Sequence, residues 1–333
     1  MVYAYTVLLF VFFLTIFFIN LYLKISLKRK IIDKPQNYNM HDKEVPTGAG
    51  IIFLLVYLIL FILIKILEFN QLIEITYPNR FYIFCLSLIF LSIISYYDDI
   101  NNLHPNIRFF FQVLIVSMSM SLIDFQLISF YIPLKFSLIL LTFYWVYQIN
   151  CTNFMDGLDG FLATYSIFFS LNCFIYFYSF NNESFFYLFS LFLLVICSAF
   201  LIFNKPSAKI FMGDSGSIFI GYSIGFLSLF FLSILRLDIM ISLICYPFID
   251  CTLTIINKML KGKYPWERLF DYNFLKPVKL YNKPHSYVLK YFVIYNLGLT
   301  INLFLQIVYD YRYLFIISII YTIVLIIFFN RKN

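Results

Sequence analysis

Two adjacent carboxylates, Asp98 and Asp99, stand at the end of an apolar stretch in the run Ser-Tyr-Tyr-Asp-Asp-Ile-Asn-Asn. Neighbouring acids at an apolar boundary repel each other, and they are tolerated most easily where they share a cation or a proton. A solvated helix end explains the pair equally well when it is taken alone. The pair therefore indicates a cation or phosphate site only if further acids lie beside it.

A second polar run contains Asn153, Asp156 and Asp159 at intervals of three residues. Any helical turn would place these three side chains on one face, and Gly157 and Gly160 allow the backbone to approach a ligand closely. Oxygen ligands without Cys or His suit a hard cation such as Mg²⁺. The alternative is an Asx-type turn in which the carboxylates only cap backbone groups.

A third run places Asp214 between Gly213 and Gly216, at the start of another apolar stretch. Backbone N–H groups at such a helix start can bind phosphate while the carboxylate binds a metal. An ordinary N-cap would explain Asp214 by itself. Taken together, the three runs predict one composite site for a divalent cation, Mg²⁺ with Mn²⁺ as the alternative, and a diphosphate. This prediction requires Asp98, Asp156 and Asp214 to lie close together.

The elements that must position these residues are membrane-spanning helices. Hydrophobic residues make up 62% of the 333-residue chain, charged residues only 12%, and the mean hydropathy is +0.87. A water-soluble core of this size could not hide so much apolar surface, so the solvent must be lipid. The composition excludes disordered, collagen-like and coiled-coil proteins and predicts an all-α polytopic membrane protein, with residues 1–333 as a single integral-membrane domain.

Eleven apolar stretches are long enough to cross a bilayer. They lie at about 3–23, 47–67, 81–97, 109–123, 136–151, 158–180, 185–203, 215–235, 238–257, 288–308 and 313–330. The first lacks a preceding basic residue and a following small-residue cleavage site, so we expect a retained helix rather than a cleaved signal peptide.

The basic residues predict the orientation of these spans. Nineteen of the 24 Lys and Arg residues fall in the odd-numbered loops and the C-terminus, so the N-terminus is expected outside and the C-terminus in the cytoplasm. Eleven of the 17 acidic residues fall on that same face. Membrane topology requires an excess only of basic residues, so this excess of acidic residues indicates a functional site. The active-site loops are accordingly expected in the cytoplasm, at about 24–46, 98–108, 150–160, 204–217 and 258–290.

Other classes of site and partner receive little support. The six cysteines have no CxxC spacing and the three histidines are scattered, which argues against a disulfide framework or a zinc site. The basic face would attract anionic lipid or phosphate, whereas no soluble basic domain is available for nucleic acid. A transporter of an anionic or lipid-linked substrate is the alternative class, but acids deep within the spans or inverted repeats would be expected of it.

In order along the chain, the motifs are Asp33-Lys-Pro with Pro46-Thr-Gly-Ala-Gly50, Asp98-Asp99, Asn153-Phe-Met-Asp156-Gly-Leu-Asp159-Gly160, Ala208-Lys-Ile-Phe211-Met-Gly-Asp214 and Pro247-Phe-Ile-Asp250. This series resembles the polyprenyl-phosphate N-acetylhexosamine-1-phosphate transferase superfamily, also called glycosyltransferase family 4, which includes MraY, WecA and WbpL. The run Asn-Phe-Met-Asp-Gly is more similar to its O-antigen branch.

The resemblance implies transfer of a sugar-1-phosphate from a UDP-sugar to undecaprenyl phosphate at the inner membrane, with release of UMP. By matching position, it implies that Asn153 and Asp214 are Mg²⁺ ligands and that Asp98 and Asp99 are the catalytic pair that handles the lipid phosphate. It further implies nucleotide-sugar contacts from the following residues: Asp156, Asp159, Phe211 and Lys43. His41 also matches a position in the first loop, without a role that the residues themselves indicate.

Three departures from the family pattern bear on function. Tyr38 replaces an Arg that is frequent in the first loop, and Asn102 stands where MraY has Lys. In the ninth loop Tyr272 occupies a position where active relatives have a His-rich motif, and His285 lies further along. A catalytically impaired homologue is therefore an alternative, the donor sugar and a homodimer stay open, and direct attack by the lipid phosphate competes with a covalent aspartyl intermediate.

Overall fold

The computed structural model describes residues 2–35, 40–41, 43–78, 80–101, 103–125, 128, 131, 133–180, 184–264 and 272–331. Twelve α-helices occur in this part of the chain: α1 Val2–Arg29, α2 Ile51–Phe69, α3 Phe81–Asn101, α4 Pro105–Ser119, α5 Leu134–Phe154, α6 Phe161–Ser179, α7 Ser184–Asn204, α8 Gly213–Ser233, α9 Leu237–Leu260, α10 Lys276–Tyr281, α11 His285–Tyr309 and α12 Phe315–Asn330. The prediction of an all-α polytopic membrane protein is confirmed.

Ten of the described helices are long and apolar enough to cross a membrane. The remaining predicted span, 136–151, corresponds to α5, which has 21 residues but carries Gln148, Asn150 and Thr152 in its second half. Helix α5 is therefore long enough to cross but more polar than the other ten. The sides on which the two termini lie stay a prediction.

Helix α8 is the centre of the bundle, and it starts at the predicted site. Of the 18 consecutive residues that form the most apolar part of α8, 89% are buried inside the protein. The corresponding share for α1 is 22%. Helix α8 packs against α2, α3, α5, α6 and α9, and Trp145 of α5 donates its indole N–H to the Tyr222 carbonyl at 3.0 Å. The helices that carry the three acidic runs therefore converge on the start of α8.

The connection between α1 and α2 folds back onto this centre. Its two short strands, β1 Ile32–Asp33 and β2 Val45–Pro46, pair antiparallel. The Phe211 N–H donates to the Pro46 carbonyl at 2.8 Å, and the Gly50 N–H donates to the Met212 carbonyl at 2.8 Å. These backbone bonds attach the first loop to the segment that leads into α8.

A close backbone contact explains why glycine stands at the beginning of α2. A Cβ on Gly50 would lie 1.9 Å from the Gly216 backbone nitrogen, and such a separation is not sterically allowed. Only the absence of a side chain lets α2 begin directly against α8.

Candidate active site

Arg108 of α4 joins two of the predicted acids. Its Nη1 atom donates to Asp98 Oδ2 at 2.6 Å and also contacts Asp214 Oδ2. Leu103 N–H donates to the other Asp98 oxygen at 2.6 Å. Asp98 is buried, whereas 26% of the Asp214 side chain is exposed. One guanidinium therefore compensates two carboxylates that are separated by more than 100 residues in the sequence.

Asp99 faces a different partner from its neighbour. Its Oδ1 accepts the Asp214 N–H at 2.7 Å, and its Oδ2 accepts the Ser215 N–H at 3.1 Å. The N-terminus of α8 is thus capped by a carboxylate from α3, which is favourable because free N–H groups and the helix dipole attract negative charge. The sequence predicts that N–H groups at this helix start bind phosphate; in the structure, Asp99 instead accepts the Asp214 and Ser215 N–H groups.

Gly213 is the residue that lets Asp99 reach this position. Its φ of +71° lies in the left-handed region, and a Cβ there would sit 2.7 Å from both carboxylate oxygens of Asp99. The glycine therefore meets two requirements, the backbone conformation and the space for the capping carboxylate.

Asn153, at the end of α5, lies beside the first turn of α8. Ser217 Oγ is 3.2 Å from Asn153 Oδ1 and 3.4 Å from the Asp214 backbone oxygen. The two residues predicted as metal ligands are therefore connected through one serine. Their oxygen atoms are of the kind that Mg²⁺ prefers.

Only two protein ligands, Asn153 and Asp214, are predicted for the metal ion. Across the described ranges, no three His, Cys, Asp or Glu side chains come together as they would around a metal ion. An amide and a carboxylate fit Mg²⁺ only as two protein ligands, with phosphate oxygens and water completing the shell, which is the usual arrangement for this ion. The metal assignment of Asn153 and Asp214 stays a prediction.

Asp156 and Asp159 follow in the short connection between α5 and α6. Burial raises the pKa of Asp156 well above its usual range, and the negative charges of Asp214, Asp99 and Asp159 raise it further. Asp156 is therefore near enough to Asp214 for their charges to interact, and Asp214 shares Arg108 with Asp98; that the three acids form one composite site stays a prediction. Asp159 Oδ2 accepts the Ala208 N–H at 3.0 Å, which fixes it to the segment before α8.

Phe211 and Lys43 were the remaining predicted nucleotide-sugar contacts. The Phe211 ring lies against the His41 imidazole, with 5.0 Å between the ring centroids. Lys43 is exposed, and its carbonyl accepts a hydrogen bond from His41 Nδ1 at 2.7 Å. Phe211 therefore packs against the first loop, and Lys43 lies in that loop.

The ninth loop is attached to the bundle by Asp250, the last acid of the motif series. Asp250 Oδ1 accepts the Asn273 backbone N–H at 3.0 Å and also the Asn273 side-chain amide. Tyr272 is buried, stacks on Phe154 with 5.5 Å between ring centroids, and lies under Lys258 Nζ. In the structure Tyr272 is therefore a packing residue. Arg268 and Asp271 lie outside the described residues.

Comparison with known proteins identifies a family for the chain. The model of glycosyl transferase family 4 matches residues 81–232. A phospho-N-acetylmuramoyl-pentapeptide-transferase of Prochlorococcus marinus (strain NATL2A) is 30% identical over 271 residues, which cover 72% of this chain and 69% of that protein. The chain belongs to glycosyl transferase family 4. The resemblance drawn from the motifs is confirmed.

Two other family members are similar over most of the chain. A probable undecaprenyl-phosphate N-acetylglucosaminyl 1-phosphate transferase of Bacillus subtilis (strain 168) is 31% identical over 71% of this chain and 66% of its own length. An undecaprenyl-phosphate alpha-N-acetylglucosaminyl 1-phosphate transferase of Thermotoga maritima is 24% identical over 75% of this chain and 74% of its own length.

Two residues beside the candidate site are not predicted from the sequence. The sequence indicates Arg108 only as a basic loop residue, although it is the sole Lys or Arg in the predicted loop 98–108. His285 lies further along the chain than the predicted motifs, but its Nδ1 is 3.2 Å from Asp159 Oδ2. The isolation of Arg108 among acids was an available signal, whereas no local pattern pointed to His285.

Proposed function

We propose that this protein transfers a sugar-1-phosphate, of the N-acetylhexosamine type, from a UDP-sugar to undecaprenyl phosphate and releases UMP. The observation that carries the proposal is the single guanidinium of Arg108 between Asp98 and Asp214. The names of the family relatives support the same class of reaction.

The reaction exchanges one phosphoanhydride for another, so its barrier lies in bringing two anions together. In the proposed direct route, an oxygen of the lipid phosphate attacks the β-phosphorus of the UDP-sugar, and the bond from that phosphorus to the bridging oxygen breaks as UMP leaves. Arg108 would offset negative charge where the two substrates meet. Asp98 would orient the lipid phosphate or accept its remaining proton, since the second pKa of such a phosphate is about 6.

Asn153 and Asp214 would hold the divalent cation, for which Mg²⁺ is proposed. When bound, this ion would neutralise charge on the diphosphate and on the leaving UMP. Asp156, Asp159, Phe211 and Lys43 are proposed to bind the nucleotide-sugar. A covalent aspartyl intermediate on Asp98 is the alternative route, and labelled phosphate on Asp98 after addition of donor without lipid would establish it.

The proposed biological role is to initiate O-antigen or another cell-surface glycan from the cytoplasmic side of the inner membrane. The choice of the O-antigen branch rests on the run Asn153-Phe-Met-Asp156-Gly157 and on Asn102 in place of a lysine.

The test is UMP release by membranes that contain the protein, with undecaprenyl phosphate, Mg²⁺ and a panel of UDP-N-acetylhexosamines. We expect release that depends on both lipid and metal, and its loss in Asp214→Ala without loss of the folded protein. The matched control is Asp310→Ala, which removes an acid at the opposite ends of the helices. Absence of UMP release with every donor would support the catalytically impaired homologue instead.

A further inference from the structure

His285, the first residue of α11, lies between two segments of the site. Its Nδ1 is 3.2 Å from Asp159 Oδ2, and its Nε2 is 3.1 Å from the Met40 carbonyl oxygen. Only 15% of the histidine side chain and 11% of the aspartate side chain are exposed. One imidazole thus connects the first loop, the connection between α5 and α6, and the start of α11.

The N-terminal position of a helix is unfavourable for a histidine that carries a positive charge. A positive side chain in the first turn is disfavoured by the helix dipole, whereas the Asp159 carboxylate beside this ring carries a negative charge. The Asp159 carboxylate and the Met40 carbonyl are both hydrogen-bond acceptors, and each faces one nitrogen of the ring.

His285 contacts a part of the first loop that lies between its two strands. Residues 45–50 are held by backbone hydrogen bonds to Phe211 and Met212. Met40 and His41 lie beyond these bonds, between β1 and β2. There His41 Nε2 lies 3.2 Å from Asp33 Oδ2, a contact within the loop itself. His285 instead connects the tip to a different part of the molecule.

We propose that His285 is a positioning residue of the donor subsite. Through its two nitrogens it holds the tip of the first loop at Met40 and fixes Asp159, so that Lys43, Phe211 and Asp159 face the same nucleotide-sugar. The proposal deepens the proposed function and rests on it for the identity of the ligand. The attachment of the loop can be measured without any substrate.

Two substitutions distinguish the contact made by Nδ1 from the contact made by Nε2. The amide nitrogen of Asn lies near the position of Nδ1, and that of Gln lies near the position of Nε2. His285→Asn should therefore keep the contact to Asp159 and lose the one to Met40, whereas His285→Gln should keep the contact to Met40. His104→Asn is the matched control, because His104 Nδ1 accepts from Asn106 N–H at the start of α4 and Asn is also a good N-cap.

If the proposed reaction is detected, its kinetics test the donor subsite. His285→Asn should raise the KM for the UDP-sugar about fivefold, which corresponds to the loss of one hydrogen bond to the neutral Met40 carbonyl. Its kcat and its KM for the lipid acceptor should change less than about threefold. A fall in kcat with an unchanged donor KM would overturn the positioning role at this subsite, whereas absence of turnover in the wild type would overturn only the proposed function.

Limited trypsin digestion of substrate-free membranes tests the attachment itself. Lys34 is followed by proline, so the peptide bond Lys43–Glu44 is the trypsin site near the tip, and Lys43 is exposed. We expect cleavage there to be about fivefold faster in His285→Asn than in the wild type, and unchanged in His285→Gln and His104→Asn. Cleavage at Lys261–Gly262, in another loop, should be unchanged in all variants. The proposal is overturned if Lys43 cleavage does not accelerate, if Asn and Gln accelerate it equally, or if cleavage at Lys261 rises in parallel.

Discussion

Arg108 is the residue whose charge keeps Asp98 and Asp214 together, because its guanidinium contacts both. Arg108→Ala would leave a buried carboxylate without its cation and a second one repelled by its neighbour. We expect turnover to fall about 10- to 100-fold, since a hydrogen bond to a charged group contributes about 1.5–3 kcal/mol and about 1.4 kcal/mol is tenfold in rate. UMP release measures this change.

The control for Arg108 is Arg312→Ala, which removes an arginine whose side chain is 59% exposed and pairs with Asp310. It should leave turnover within about twofold, because exposed ion pairs contribute little. Equal loss in both variants would contradict a specific role for Arg108.

Asp156 illustrates a conflict between stability and function at the residue scale. Burial and three neighbouring carboxylates raise its pKa, so the folded protein binds this proton more tightly than the unfolded chain does. The ionised carboxylate therefore destabilises the fold at pH values above its raised pKa, and the penalty disappears below the unfolded pKa of about 4. Asp156→Asn should unfold at a higher temperature than the wild type at pH 7.5, while its turnover falls.

Thermal unfolding in detergent between pH 5 and 8 provides the measurement. The advantage of the Asn variant should shrink as the pH is lowered, because the folded wild type binds this proton more tightly than the unfolded chain does. Glu74→Gln, which neutralises an exposed acid, should show no such trend. A wild type that is more stable than Asp156→Asn at pH 7.5 would contradict this account.

At the scale of elements, the start of α8 depends on Gly213 and Asp99. Gly213→Ala would add a side chain in a left-handed conformation, at about 1–2 kcal/mol, and would place its Cβ 2.7 Å from the capping carboxylate. We expect lower thermal stability and loss of UMP release, because Asp214 follows directly in the same turn.

The chain offers a matched glycine for comparison. Gly262 has nearly the same φ, +72°, but a Cβ there would meet nothing within 4 Å. Gly262→Ala should therefore show the backbone cost without the clash, with a smaller fall in the unfolding temperature and nearly normal turnover. Equal effects of the two substitutions would mean that the contact with Asp99 adds nothing.

At the scale of the whole molecule, the distribution of basic residues predicts that the site faces the cytoplasm. The six native cysteines suit a labelling test, because five are buried and Cys85 is partly buried. A membrane-impermeant maleimide added to intact spheroplasts should label Tyr311→Cys and should label Lys261→Cys only after lysis. Labelling of Lys261→Cys in intact cells would reverse the predicted orientation.

The sequence by itself determined the membrane-spanning helices and the side chains from which a site is predicted. The predicted span 185–203 agrees closely with α7, Ser184–Asn204, because the length of an apolar run is a local property that the bilayer thickness converts directly into a helix. The proximity of Asp98 to Asp214 also agrees with the sequence, since each stands at the end of a span and the sequence predicts both on one face.

Only the tertiary structure decided which group each acid contacts. Asp98 and Asp99 are neighbours in the sequence, yet one contacts Arg108 and the other caps α8. His285 reaches Asp159 across more than 100 residues. Such pairings depend on how the helices pack around α8. The pattern of polar and apolar residues along the sequence does not specify that packing. The sequence therefore indicates the chemistry of the side chains, whereas helix packing determines their hydrogen-bond and ion-pair partners.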